Sequence, residues 1–162
     1  MFYSNDTLSH TSKEDRNLLI RVRDLLWNAA DAIRTAKKIP GNKKNYLYRC
    51  HSIARALLLE IGDESVKCVD GFCVGAQTSD TSEHVSVTGH PHSWLVTGNG
   101  SIIDPFPIGT VSFGPLLLPA TGLDRNCAYG RYRPNLEIVK EIVNRRTWRQ
   151  ARVIHGLFKA AA

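Results

Sequence analysis

Three residues in this chain carry chemistry that their spacing can bring together: Cys50, His92 and Asp104. A cysteine attacks as thiolate, and a helix N-terminus stabilises that anion with free amide groups and the positive end of its dipole. Cys50 opens a run in which Ile53, Ala54, Leu57, Leu58 and Ile61 recur at helical spacing, with Gly62 as its stop, so it stands at such a terminus. A thiol there needs an imidazole to take its proton, and the imidazole needs a carboxylate to fix its tautomer. His92 and Asp104 flank Gly98-Asn99-Gly100, the clearest hairpin signal in the chain. With those three residues as the loop, Thr97 pairs with Ser101 and Trp94 faces Asp104. His92, Trp94 and Asp104 then share one sheet face, with His92 and Asp104 as diagonal neighbours. A two-residue loop would throw Asp104 to the opposite face. The triad therefore requires an odd loop. An oxyanion hole would use the Cys50 backbone amide and one further donor, for which Asn45, Tyr46 and Tyr48 are the candidates.

Each of these residues has a rival or a plainer use. Free cysteines are often small buried hydrophobes. His90 lies two residues from His92 and competes as the base, but Pro91 between them favours a strand end, and His92 shares its face with Trp94. Asp104 precedes Pro105, a common turn pair, while Asp70, the other carboxylate, precedes Gly71 and reads as a turn. Cys68, Cys73, His84 and His90 invite a zinc reading, but the spacing is only permissive, so neither a metal nor a cofactor is expected. His51, Cys127 and His155 read as structural or exposed.

The elements that must position the triad can be read from periodicity. Residues 1–11 read as a flexible arm. Thr11 and Glu14 fit a capping box, and Leu18, Leu19, Val22, Leu25, Leu26, Ala29 and Ile33 predict a helix over 12–37. Pro40-Gly41-Asn42 ends it. After the Cys50 helix, alternation predicts strands from Ser65: one around Val66–Cys68, an apolar patch at Phe72–Val74, then a polar loop over Gln77–Ser82. Short strands follow at Val85–Val87, His92–Thr97 and Ser101–Asp104. Residues 106–119 read as loop, with room for one strand in the Leu116-Leu117-Leu118 run. A basic helix over 135–155 follows Pro134. Helix, helix, strands, helix is an α+β order, and 162 residues suit one domain.

Composition narrows the class further. At 43% hydrophobic and 22% charged, the chain is neither disordered nor fibrous. No apolar run reaches the roughly 20 residues of a membrane helix, so no membrane role is expected. The polar start lacks the pattern of a signal peptide, which predicts a cytoplasmic protein with reduced thiols. The net charge of +6 is concentrated near the end, where Arg145, Arg149 and Arg152 recur at helical spacing beside Trp148. That stripe could dock an acidic partner, the substrate included. It could also meet nucleic acid, but no nucleic-acid fold signature accompanies it.

Cys50-His51-Ser52-Ile53-Ala54-Arg55-Ala56-Leu57, Val69-Asp70-Gly71-Phe72, His92-Ser93-Trp94 and Ile102-Ile103-Asp104-Pro105 resemble, in order and spacing, the cysteine helix, first strand, His-x-Trp strand and Asp-Pro strand end of the transglutaminase-like superfamily. The resemblance covers about 46–107, a little over a third of the chain. It implies a papain-like core, in which a helix bearing the nucleophile packs on an antiparallel sheet bearing His and Asp. It also implies acyl transfer from amides in a protein or peptide substrate: proteolysis, glutamine deamidation or transamidation. Domains of this kind also serve as inactive binding modules.

Overall fold

In the computed structural model, which describes residues 5–35, 50–78, 85–105, 114–122, 132–137, 139 and 144–161, the helices with described bounds are four before the sheet and one after it. They are α1 (Asn5–His10), α2 (Lys13–Asn28), α3 (Ala30–Thr35), α4 (Cys50–Ile61) and, after the sheet, α5 (Arg145–Ala161). The strands are β1 (Lys67–Thr78), β2 (Val85–Val96), β3 (Ile102–Asp104), β4 (Leu116–Leu118) and β5 (Tyr132–Pro134). They form one antiparallel sheet in the order β4-β3-β2-β1-β5. The fold is α+β.

Its core is divided by the two faces of this sheet, because side chains alternate along each strand. One face carries Leu95, Ile103 and Leu117, packed against Leu19 and Val22 of α2, Ile53 and Leu57 of α4, and Ile154 and Phe158 of α5. Each of these fully buried side chains contributes roughly 2 kcal/mol by leaving water. The other face carries Cys73, Trp94, Ile102, Leu118 and Tyr132. Cys68 sits against the helical face and Cys73 within the second cluster. The two thiols that a zinc site would need thus point to opposite sides. His84 and the side chain of His90 lie outside the described residues.

The hairpin after β2 has the odd loop. Thr97 N–H donates to Ser101 O at 2.9 Å and Gly100 N–H to Thr97 O at 2.9 Å. Gly100 takes φ +81°, the left-handed turn that a three-residue loop needs and that glycine adopts without strain. Leu95 then pairs with Ile103 and Val96 with Ile102, the register expected from the sequence. A tertiary clamp holds it. Ser101 Oγ donates to Asp15 Oδ2 at 2.7 Å, and Asn99 Nδ2 reaches Ser12 Oγ at 3.0 Å, both at the start of α2.

Several expectations need correction. The arm contains a helix, α1. The cap of α2 is Ser12, whose hydroxyl accepts from Asp15 N–H at 3.0 Å, one residue later than the Thr11 and Glu14 box. The predicted 12–37 helix breaks at Ala29 into α2 and α3, and residues beyond Thr35 lie outside the described residues. The separate strands before His92 merge into two paired twelve-residue strands, with Gln77 and Thr78 in β1 rather than a loop. The predicted 135–155 helix is preceded by β5. Leu136, Glu137 and Val139 are helical as expected, Asn144 is a bend whose Oδ1 accepts from Thr147 N–H at 3.0 Å, and the helix that starts at Arg145 runs on to Ala161.

Candidate active site

Cys50 is the first residue of α4, where the backbone amides of the opening turn have no carbonyl partners within the helix. On β2, His92 and Ser93 point to opposite faces, and the first two residues of α4 engage both. Cys50 interacts with His92, and His51 Nδ1 lies 2.7 Å from Ser93 Oγ. Two polar chains therefore leave the thiol, one on each side of the strand.

The first chain runs through the predicted triad. His92 Nε2 lies 2.8 Å from Asp104 Oδ2, and both side chains are 0% exposed. Tyr132 donates its hydroxyl to the same carboxylate oxygen at 2.7 Å. The imidazole is stacked on Trp94, with ring centroids 6.2 Å apart, and lies 6.4 Å from the Tyr132 ring. These aromatics keep water from the His92–Asp104 bond and strengthen it. His92 Nδ1 is buried without a nitrogen or oxygen partner. With Nε2 taken by Asp104, Nδ1 is the nitrogen left to face the thiol.

The electrostatics follow from this packing. Burial pushes the Cys50 thiol up, but hydrogen bonding to His51 and His92, with their positive charge, outweighs it and brings the pKa down from 9.0 to about 6. Burial pushes His92 down, but Asp104 and then Cys50 hold it up, from 6.5 to about 9. Between those values the stable form is thiolate beside imidazolium. Such a pair is an activated nucleophile with its proton already parked on the general acid.

The second chain was not anticipated. Ser93 Oγ donates to Asp70 Oδ1. Asp70 Oδ2 is bound by Arg55 Nη2 at 2.6 Å in a buried ion pair. Arg55 also reaches the His51 carbonyl at 3.1 Å and lies over the Trp148 ring, 5.6 Å from its centroid. Asp70 is therefore committed to Arg55 and Ser93, which leaves Asp104 as the carboxylate on His92. It lies within β1, not in a turn. The sequence signal for this chain is Arg55, a charge between Ala54 and Ala56 on an apolar helix, which demands a buried counter-ion. Tyr132 had no comparable signal, since a three-residue strand is too short to show a period.

A groove of about 890 Å³ opens along the start of α5, lined by Asn144, Arg145, Trp148, Arg149, Arg152 and Val153. Ser52, two residues after the thiol, donates to Gln150 Oε1 at 3.0 Å, so the first turn of α4 lies against the α5 segment that lines the groove. The oxyanion candidates Asn45, Tyr46 and Tyr48, and also Cys127, lie outside the described residues. His155 bridges α5 to α4 through Glu60 at 3.0 Å. Among the described residues no group of three or more His, Cys, Asp or Glu is arranged to hold a metal, and no helix is long and apolar enough to cross a membrane. Comparison with known proteins returns no matching family model, no matching curated protein and no matching solved structure.

Proposed function

We propose that this protein is a cysteine-dependent amide hydrolase, a peptidase or glutamine deamidase with a transglutaminase-like, papain-like core. The observation that carries this reading is the arrangement of three groups: Cys50 at the first position of α4 meets a buried His92 whose Nε2 lies 2.8 Å from Asp104, which holds the thiol down to about 6 and the imidazole up to about 9. A cysteine that merely fills space would move the other way, because burial alone raises a thiol.

In the mechanism, the Cys50 thiolate attacks the amide carbon and the carbonyl oxygen takes up the negative charge beside the free amides at the start of α4. His92 delivers its proton to the leaving nitrogen, which departs as an amine or as ammonia. Neutral His92 then takes a proton from water, whose oxygen attacks the thioester, and returns that proton to the sulfur. Asp104 keeps Nε2–H in place throughout, so Nδ1 always meets the reacting atoms. Water is the expected acceptor, since no amine-binding site is apparent among the described residues. A reduced Cys50 fits a cytoplasmic setting.

The groove beside Trp148 adds a partner class. Arg145, Arg149 and Arg152 would hold an acidic stretch of the protein substrate next to the reacting amide, a contact that weakens as salt rises.

The test is a panel of peptides and glutamine-containing proteins, assayed for new N-termini and for released ammonia with wild type and Cys50→Ala. Cys50-dependent release of either product supports the reading and selects between peptidase and deamidase. Release from neither would leave an inactive binding module as the better description.

A further inference from the structure

We propose that His51 is a second histidine of the thiol site, locked by Ser93 and Asp70 in the tautomer that turns a bare Nε2 toward Cys50, so that the nucleophile is served by one imidazole from the helix and one from the strand. Ser93 has one hydroxyl hydrogen, and it is given to the Asp70 carboxylate. Its oxygen can then only accept, and His51 Nδ1 lies 2.7 Å away. His51 Nδ1 must therefore carry a hydrogen. In a neutral imidazole Nε2 is then the acceptor, and it is the atom left for the sulfur beside it. Arg55 keeps this arrangement from reversing. Its Nη2 donates to the Asp70 carboxylate at 2.6 Å, and its Nη1, 3.4 Å from Ser93 Oγ, is a second donor onto the same hydroxyl oxygen.

The two chains serve the sulfur in parallel. Asp104 fixes His92 so that Nδ1 faces the thiol. Ser93, backed by Asp70, fixes His51 so that Nε2 does. When the Cys50 S–H bond breaks, its proton can pass to His92 Nδ1 or to His51 Nε2. In the second case His51 becomes an imidazolium that keeps Nδ1–H on Ser93 and places Nε2–H on the thiolate. One proton is in play, so whichever ring takes it from the thiol is the ring that returns it to the sulfur or passes it to the leaving nitrogen.

The groups facing His51 come from every element around it. They are Cys50 and Arg55 on α4, Ser93 on β2, and Asp70 on β1, while His92 meets Cys50 from the other face of β2. From α5, Trp148 lies against Arg55, and Arg145, Arg149 and Arg152 line the adjoining groove. Asp70 is already paired with Arg55, which leaves His51 as the proton acceptor beside the thiol on this side.

This role rests on the thiol-enzyme reading only for its use in turnover, so the test reads ionisation of Cys50 without any substrate. The rate of Cys50 alkylation by iodoacetamide is followed against pH by peptide mass spectrometry for wild type, His51→Asn and Ser93→Ala. Asn can still donate to Ser93 but cannot take a proton, so a merely structural His51 would be replaced without consequence. The expected result is a midpoint about one pH unit higher in His51→Asn, a roughly fivefold slower reaction at pH 6, with the melting temperature held. Ser93→Ala, which frees the tautomer, should move the midpoint in the same direction by less. A His51→Asn midpoint equal to that of wild type overturns the proposal. If His51→Asn does not fold, Ser93→Ala decides, an upward shift supporting the proposal and an unmoved midpoint overturning it. Absence of amide hydrolysis in a protein whose midpoint does shift would sink the hydrolase reading and leave this inference standing.

Discussion

Cys50 and Cys68 are both partly buried, and α4 packs against the strand that carries Cys68, yet their acidities part by roughly a millionfold. Burial raises both thiols. At Cys68 nothing counters it: the attraction of Arg55 is offset by Asp70 and Cys50, and the thiol is pushed up to about 12. At Cys50 two imidazoles reverse the sign, and it falls to about 6. At pH 7 about nine in ten Cys50 side chains are then thiolate, against about one in 10⁵ at Cys68. The charges near Cys68, Arg55 and Asp70, oppose one another, whereas both imidazoles near Cys50 pull the same way. What separates them is whether the nearest partner can itself give up or take a proton.

The comparison can be broken most directly by labelling. At pH 6.5 dilute iodoacetamide should modify Cys50 at least 10³-fold faster than Cys68, as read by peptide mass spectrometry, and equal rates would erase the distinction. Next in size is His92→Ala. Losing the larger ion pair should slow Cys50 labelling at that pH by about 10²-fold and move Cys50 toward the behaviour of Cys68.

Gly71→Ala attacks the same contrast through packing. A Cβ at Gly71 would lie 2.0 Å from Arg133 O, so β5 must move away and carry Tyr132 off Asp104. About 3 kcal/mol of stability should go, seen as a melting temperature several degrees lower, together with a higher Cys50 midpoint. A stable variant with an unchanged midpoint would mean that β5 does not tune the site.

The pH profile of amide hydrolysis sharpens the comparison from both sides. Cys50 is lowered to about 6, so activity should fall about tenfold per unit as pH drops below 6 and the thiolate is protonated. His92 is raised to about 9, so activity should fall again as pH rises above 9 and the general acid is lost. A profile that climbs steadily from 7 to 10 would instead indicate an ordinary thiol. Tyr132→Phe is the smallest change. It removes one hydrogen bond to the Asp104 carboxylate, and kcat should fall three- to tenfold, with the alkaline limb moving toward neutrality. A twofold or smaller effect would show that the His92–Asp104 pair is held without it.

Local patterns in the chain were enough to place the thiol on a helix start and His92 beside Asp104. Both depend on short-range rules: the 3.6 period after Cys50, and the parity of a three-residue loop at Gly98-Asn99-Gly100. The helix caps and the boundaries of β1 and β2 were read less well. Ser12 and Thr11 both suit a cap, and the choice fell to Ser12, whose hydroxyl also meets Asn99 from the hairpin 87 residues away. Only the tertiary structure decided which carboxylate serves which group. Asp70 and Asp104 look alike in sequence, but Arg55, fifteen residues before Asp70, claims the first, while Tyr132 and His92 enclose the second. The sequence by itself determined which groups could do chemistry, because periodicity and turn parity act within a few residues. Their partners and their acidities were decided by the fold, because burial and charge act through space between segments that no local pattern connects.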